Sequence, residues 1–147
     1  MGERRRPVEI LLVEDNETDV MLAREAFRES LVFNHLHVVD NGEDAVQFLR
    51  REGKFLTAPR PDLVLLDLNL PRMSGQEVLA VVKSDEGLKR IPMVVMTSSK
   101  SREDIEDVYA LHANSFVSKP MELCDFRDVV RTVGHFWLYV AALPEKH

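Results

Sequence analysis

Short apolar runs alternate along this chain with segments of helical periodicity, and this alternation constrains the fold more than any other feature. The run Leu63-Val64-Leu65-Leu66 is typical: it is too short for a buried helix, so it predicts a strand that is buried on both faces. Strands that alternate with helices favour a mainly parallel sheet covered by helices on both sides. We therefore predict an α/β fold of five strand–helix units, with strands near residues 8–13, 36–39, 62–66, 91–96 and 115–118.

Four of the predicted strands end in polar side chains that carry chemistry. In an open parallel sheet, a ligand crevice lies just outside the carboxyl ends of the strands, so these side chains should share one edge. Taken alone, each could simply cap the next loop, since aspartate is common at turns. Together they predict a functional site. The strand ends carry Glu14-Asp15, Asp67, Thr97-Ser98-Ser99 and Lys119-Pro120.

Three carboxylates at one sheet edge, those of Glu14, Asp15 and Asp67, would repel each other unless a cation meets them. Hard oxygen ligands suit Mg²⁺ or Mn²⁺ better than zinc. None of the five histidines stands at a metal-ligand spacing with a cysteine or another histidine. His35 and His37 lie in a predicted strand, and we expect one of them to face water. No zinc site is therefore predicted.

Length and composition bound the remaining possibilities. The 147 residues suit one domain, which we place at residues 8–143 after a flexible tail of residues 1–7. The net charge of −6 does not imply a nucleic-acid partner, and Arg4-Arg5-Arg6 is predicted to be a solvated tail. No apolar stretch reaches the length of a membrane span or resembles a secretory signal. The single Cys124 fits a reducing cytoplasm and is expected to fill the core.

With these residues in view, the sequence resembles the receiver domain of two-component response regulators, the CheY-like family, over nearly its whole length. The residues that carry the resemblance stand in the same order at successive strand ends: Glu14-Asp15, Asp67 with Pro71 and Gly75, Thr97, and Lys119-Pro120. The resemblance implies a doubly wound, five-stranded parallel sheet of order 2-1-3-4-5, flanked by five helices.

The resemblance also implies a role for each residue of the site. Asp67 would accept a phosphoryl group from a histidine kinase, as a carboxylate nucleophile. Glu14, Asp15, Asp67 and the backbone carbonyl of Asn69 would hold Mg²⁺ or Mn²⁺. The phosphoryl-binding and switch residues would be Thr97, Ser98, Lys119 and Phe116, and the Lys119–Pro120 peptide bond would be cis.

Two positions depart from the family pattern. Many receivers have two aspartates where this chain has Glu14-Asp15, although Glu-Asp also occurs among them. Phe116 stands in place of a tyrosine, so it carries no phenol, and switching would then depend on packing alone.

The C-terminal segment resembles that of stand-alone regulators that partner phytochrome-type histidine kinases, through Phe136-Trp137 followed by Leu143-Pro144. This resemblance implies such a kinase as partner. Because the sequence ends at His147, we expect no output domain and no DNA-binding role. The fifth helix carries more apolar residues than one core-facing stripe needs, with Leu123, Phe126, Val130 and Val133 predicted to face inward. We expect the remaining apolar residues of this segment to form a homodimer surface; they are Phe136, Trp137, Tyr139 and Val140. The alternative is a tail that folds back and buries them within one chain.

Three other functions compete with a phosphoacceptor. A metal-dependent phosphohydrolase would need a second acid two residues after Asp67, where this chain has Asn69. A flavin- or nucleotide-binding fold would need a Gly-rich or hydroxyl-rich first loop, where this chain has Glu14-Asp15. A phosphorylation-independent scaffold stays open. We therefore expect no enzymatic activity beyond self-catalysed phosphoryl acceptance and slow autodephosphorylation.

Overall fold

The computed structural model describes residues 6–144, so the predicted N-terminal tail lies outside the described residues except for Arg6 and Pro7. Five parallel strands form one sheet in the order β2-β1-β3-β4-β5. The predicted sheet order and the five helices are thereby confirmed. The strands are β1 Val8–Val13, β2 Asn34–Val39, β3 Leu63–Leu66, β4 Met93–Thr97 and β5 Ser115–Ser118.

Each strand is followed by a helix, and side-chain caps fix where the first four helices begin. The side chains of Asn16, Asn41, Ser74 and Ser101 each accept a hydrogen bond from the backbone amide three residues later, which satisfies a donor that the helix leaves unpaired. The helices are α1 Glu17–Arg28, α2 Gly42–Arg50, α3 Gly75–Lys83, α4 Arg102–Ala110 and α5 Leu123–His135. A 3-10 turn follows α2 at Gly53–Phe55, and a π-helical turn extends α5 over Phe136–Val140.

Two apolar layers enclose the sheet because successive residues of a strand point to opposite faces. Ile10, Leu12 and Leu65 pack on one face against α1 and α5, which contribute Phe27 and Phe126. On the other face the strand residues pack against α2, α3 and α4. That layer includes Leu11, Val13, Val64, Leu66, Val95, Phe48, Val78 and Val108. Since helices cover both faces of the sheet, the polar carboxyl ends of the strands are the part of the sheet that faces solvent.

Three predicted details are wrong. Cys124 and Leu123 are exposed in the first turn of α5, because the inward stripe of that helix begins at Phe126. The Lys119–Pro120 peptide bond is trans, as no cis bond occurs among residues 6–144. The trans isomer is the lower-energy one even before proline.

Among residues 6–144, no helix is long and apolar enough to cross a membrane.

Candidate functional site

The predicted acidic cluster forms at the carboxyl ends of β1 and β3. One carboxylate oxygen from each of Glu14, Asp15 and Asp67 lies within 4.8 Å of the other two. Glu14 and Asp67 are buried, whereas Asp15 is exposed, so the cluster opens to solvent on one side. The parallel register of β1 and β3 explains this proximity. Val13 pairs with Leu66, so Glu14 and Asp67, which follow them, leave the two strands side by side. Three converging carboxylates fit a hard divalent cation, and the predicted cofactor, Mg²⁺ or Mn²⁺, agrees with this donor set.

Lys119 reaches across the sheet edge from the end of β5 and joins the cluster. Its ammonium donates hydrogen bonds to Glu14, to Asp19 Oδ2 at 3.0 Å and to Asp67 Oδ2 at 3.3 Å. The ammonium thereby offsets the repulsion between the carboxylates. Asp19, in the first turn of α1, belongs to the site but was not predicted from the sequence. Acids are common at helix starts, so the sequence did not show which of them would contact Lys119.

Burial and the neighbouring charges shift the pKa values of both Glu14 and Lys119. Burial raises the pKa of Glu14 from 4.5 to about 7; the hydrogen bond from Lys119 lowers it, and the nearby charge of Asp67 adds to the rise. Burial by itself would lower the pKa of Lys119, but its hydrogen bond to Glu14 and the charge of Asp67 raise that pKa above its ordinary value. Lys119 therefore remains an ammonium at neutral pH, while Glu14 ionises only reluctantly.

The loop after Asp67 is held against the site by close backbone packing. The Gly75 amide donates to the Leu68 carbonyl at 2.9 Å, and the Asn69 amide donates weakly to Asp67 Oδ1 at 3.4 Å. A Cβ added to Gly75 would stand 2.3 Å from the Asp67 carbonyl oxygen, closer than atoms can pack. A glycine at this position therefore lets α3 begin directly beside the acceptor. Asn69 itself is exposed, and the assignment of its carbonyl as a metal ligand stays a prediction.

The predicted hydroxyl and aromatic residues make their own hydrogen bonds and packing contacts within the described residues. Thr97 is fully buried at the end of β4, where its Oγ1 accepts a hydrogen bond from the Ser99 amide at 3.4 Å, and Ser98 is exposed. Phe116 is half-buried and packs against the layer under α4. Its backbone amide donates to the hydroxyl of Tyr109 on α4 at 3.1 Å. Phe116 has no phenol of its own, but the phenol of Tyr109 on α4 contacts the backbone of β5 at this position.

The C-terminal residues divide into two sets. Phe136, Tyr139 and Val140 are exposed by 48, 72 and 60%. Trp137, in contrast, is half-buried and packs against the layer formed by α1 and α5. Three of the four residues predicted for the dimer surface are therefore exposed, whereas Trp137 follows the intrachain alternative.

Comparisons with known proteins agree with this geometry. The model of the response regulator receiver domain family matches residues 10–131. The response regulator Rcp1 of Synechocystis sp. is 41% identical over 97% of both chains. A crystal structure of the phosphorylated cyanobacterial phytochrome response regulator RcpA superposes with a TM-score of 0.93 at 44% identity, covering 95% of this chain and all of RcpA. The Mn²⁺-bound form of Rcp1 superposes with a TM-score of 0.92 at 41% identity, with the same coverage.

Proposed function

We propose that this chain, which belongs to the response regulator receiver domain family, accepts a phosphoryl group from a histidine kinase on Asp67 and signals through a change of its surface. The observation that carries the proposal is the environment of the Asp67 carboxylate. It is buried at the end of a central strand, 3.3 Å from the Lys119 ammonium and beside the oxygens of Glu14 and Asp15. As a receiver, the chain is a response regulator and not an enzyme in the usual sense; slow self-catalysed dephosphorylation belongs to the proposal.

The chemistry follows from these positions. A carboxylate oxygen of Asp67 attacks the phosphorus of a phosphohistidine, the P–O bond forms as the P–N bond breaks, and the departing imidazole takes up a proton. Lys119 provides a positive charge that pairs with the phosphoryl oxygens. Mg²⁺ or Mn²⁺, held by Glu14, Asp15 and Asp67 with the Asn69 carbonyl, would neutralise charge on the transferring group. Burial strengthens the electrostatic interactions, because the local dielectric constant is low.

Intact-mass measurement after incubation with Mg²⁺ and acetyl phosphate tests the acceptor. We expect one phosphoryl group per wild-type chain, none on Asp67→Asn, and normal uptake by Asp107→Asn, whose aspartate is exposed on α4. Full uptake by Asp67→Asn would refute the assignment. A wild-type chain that takes up no phosphoryl group, from acetyl phosphate or from a kinase, would favour the phosphorylation-independent scaffold.

A switch through Thr97, Ser98, Lys119 and Phe116 is part of the proposal. The hydrogen bond that holds Thr97 to the Ser99 amide is long, at 3.4 Å, so little free energy opposes movement of the hydroxyl toward a phosphoryl group. Phe116 is only half-buried and would repack into the space that Thr97 vacates. Amide spectra with and without beryllofluoride, a phosphoryl mimic, should differ at Phe116 and Tyr109, and unchanged spectra there would contradict the switch.

We also propose a phytochrome-type histidine kinase as the partner and the cytoplasm as the location. The similarity to RcpA, a cyanobacterial phytochrome response regulator, supports the partner, since identity of 44% extends over 95% of this chain. Phosphotransfer from a purified phytochrome-type kinase should be much faster than from kinases of other sensor classes. Equal rates from all of them would remove support for this partner while leaving the acceptor role intact.

A homodimer through the C-terminal residues completes the proposal. Phe136, Tyr139 and Val140 form an exposed apolar surface at the end of the chain's last helical turns. Sedimentation should find a dimer that Tyr139→Glu converts to a folded monomer, with Met121→Glu, a still more exposed apolar position elsewhere, as the control. A charge at Trp137 would be a poor test, because this side chain packs against the core. A monomeric wild type at high concentration would rule the dimer out.

A further inference from the structure

A second group of metal-ligating side chains lies at the opposite end of the sheet from Asp67. Glu9 on β1 meets His35 and His37 on β2, and one ligand atom from each lies within 4.8 Å of the others. His37 Nε2 stands 2.7 Å from Glu9 Oε1, and His35 Nδ1 stands 3.3 Å from Glu9 Oε2. Two imidazoles thus converge on one carboxylate.

The strand register brings these three residues together. Glu9 pairs with His35 directly across the two parallel strands, and Leu11 pairs with His37. His35 and His37 are two residues apart on one strand, so their side chains share a face of the sheet. The sequence predicted no histidine pair at a ligand spacing; the structure brings His35 and His37 together around Glu9 of the neighbouring strand.

The surroundings suit a bound cation. The Glu9 side chain is only 13% exposed, and a carboxylate this buried needs a positive partner. The histidine side chains are 52 and 29% exposed, which leaves a path from solvent. Aromatic rings lie beside both imidazoles, with Phe33 at 5.5 Å from His35 and Phe48 at 5.5 Å from His37. These rings limit the directions in which the imidazoles can turn.

We propose that Glu9, His35 and His37 bind a transition-metal cation of the zinc class, with water in the fourth position. Two imidazole nitrogens and one carboxylate oxygen suit Zn²⁺ and disfavour Mg²⁺, which prefers oxygen ligands alone. Ligands about 2.1 Å from a tetrahedral ion lie roughly 3.4 Å apart. His35 Nδ1 lies 3.3 Å from Glu9 Oε2, which meets that spacing, whereas His37 Nε2 lies 2.7 Å from the other oxygen, Oε1. The Glu9 carboxylate must therefore turn for one of its oxygens to share a cation with both imidazoles.

This site is independent of the phosphoacceptor. Glu14, directly after β1, lies five positions along the chain from Glu9, which at the rise of a strand is about 17 Å. A metal at Glu9 would join the edge strand β2 to β1 and raise the melting temperature without entering the acidic cluster. Loss of the site should therefore leave phosphoryl uptake at Asp67 unchanged.

Calorimetric titration of chelator-treated, full-length protein with Zn²⁺, in excess Mg²⁺ to occupy the acidic cluster, tests the proposal. We expect one site in the wild type and at least a tenfold loss of affinity in His35→Gln and in His37→Gln. His135→Gln, which alters an exposed histidine on α5, should bind as the wild type does. Absence of a Zn²⁺ site in the wild type, or wild-type affinity in both cluster variants, would overturn the proposal and leave a hydrogen-bonded triad.

Histidine ring spectra of the wild type give a reading that does not depend on any variant. Zn²⁺ should shift the ring resonances of two histidines together, and Co²⁺ should give a visible absorption band typical of nitrogen ligation. Circular dichroism would establish that each variant is folded, and Glu9→Gln would replace a histidine variant that is not. Ring signals that do not respond to Zn²⁺ would refute the assignment. Since Mg²⁺-dependent phosphoryl uptake is measured separately, failure of the zinc site and failure of the acceptor role are distinguishable.

Discussion

Replacing Glu14 by glutamine should stabilise the metal-free protein at alkaline pH. Burial raises the pKa of Glu14 from 4.5 to about 7, so the folded state resists ionising this group. At about 1.4 kcal/mol for each tenfold change in the ionisation equilibrium, the ionised carboxylate lowers the free energy of unfolding by about 3 kcal/mol. Glutamine removes the charge and keeps an acceptor oxygen for Lys119.

The pH at which the effect appears follows from the two pKa values. Below pH 4.5, Glu14 is protonated in both the folded and the unfolded state, so its ionisation contributes nothing. Between pH 4.5 and about 7 the folded state binds more protons than the unfolded state, and the contribution of this group to stability falls as the pH rises. Above pH 7 the full cost is present. The gain of Glu14→Gln should therefore be close to zero at pH 4 and about 3 kcal/mol at pH 8.

Urea unfolding in excess chelator at both pH values measures this difference. Glu106→Gln, at an exposed position on α4, is the control and should change the free energy of unfolding by less than about 0.5 kcal/mol. Saturating Mg²⁺ should stabilise the wild type more than the Gln variant, because the variant has lost one carboxylate ligand. A Glu14→Gln protein that is no more stable than the wild type at pH 8 would refute the reasoning, as would an equal gain at both pH values.

Three further predictions concern the same edge of the sheet. Chelation should abolish phosphoryl uptake while leaving the circular dichroism spectrum unchanged, because the clustered carboxylates repel the incoming group; uptake at the full rate in excess chelator would contradict a metal requirement. Lys119→Ala should keep part of the uptake at Asp67 but lose most of the spectral change at Phe116, and a full change in that variant would exclude Lys119 from the switch. Gly75→Ala should lower the free energy of unfolding by about 1–3 kcal/mol, since its Cβ would collide with the Asp67 carbonyl. The control Gly87→Ala, whose Cβ would meet only the flexible Asp85 side chain at 3.3 Å, should be close to neutral.

The sequence by itself determined the fold class, the strand order through the family resemblance, and the meeting of Glu14, Asp15 and Asp67. These features depend on local signals. An apolar run of four to six residues predicts a buried strand, and the residue that follows it lies at the carboxyl edge of a parallel sheet. Because strand exits share that edge by topology, polar residues found there could be brought together without any knowledge of side-chain contacts.

Only the tertiary structure decided which side chains touch. Asp19 meets Lys119 across 100 residues of sequence, and a helix start with several acids does not reveal which of them turns toward the site. Trp137 packs inward while Tyr139 faces solvent. Residues two positions apart lie on opposite sides of a helix, so the packing of this segment decides which of the two is buried. Glu9 meets His35 through the pairing of β1 with β2. Such contacts depend on register and on the packing of elements distant in sequence, which periodicity along one chain does not encode.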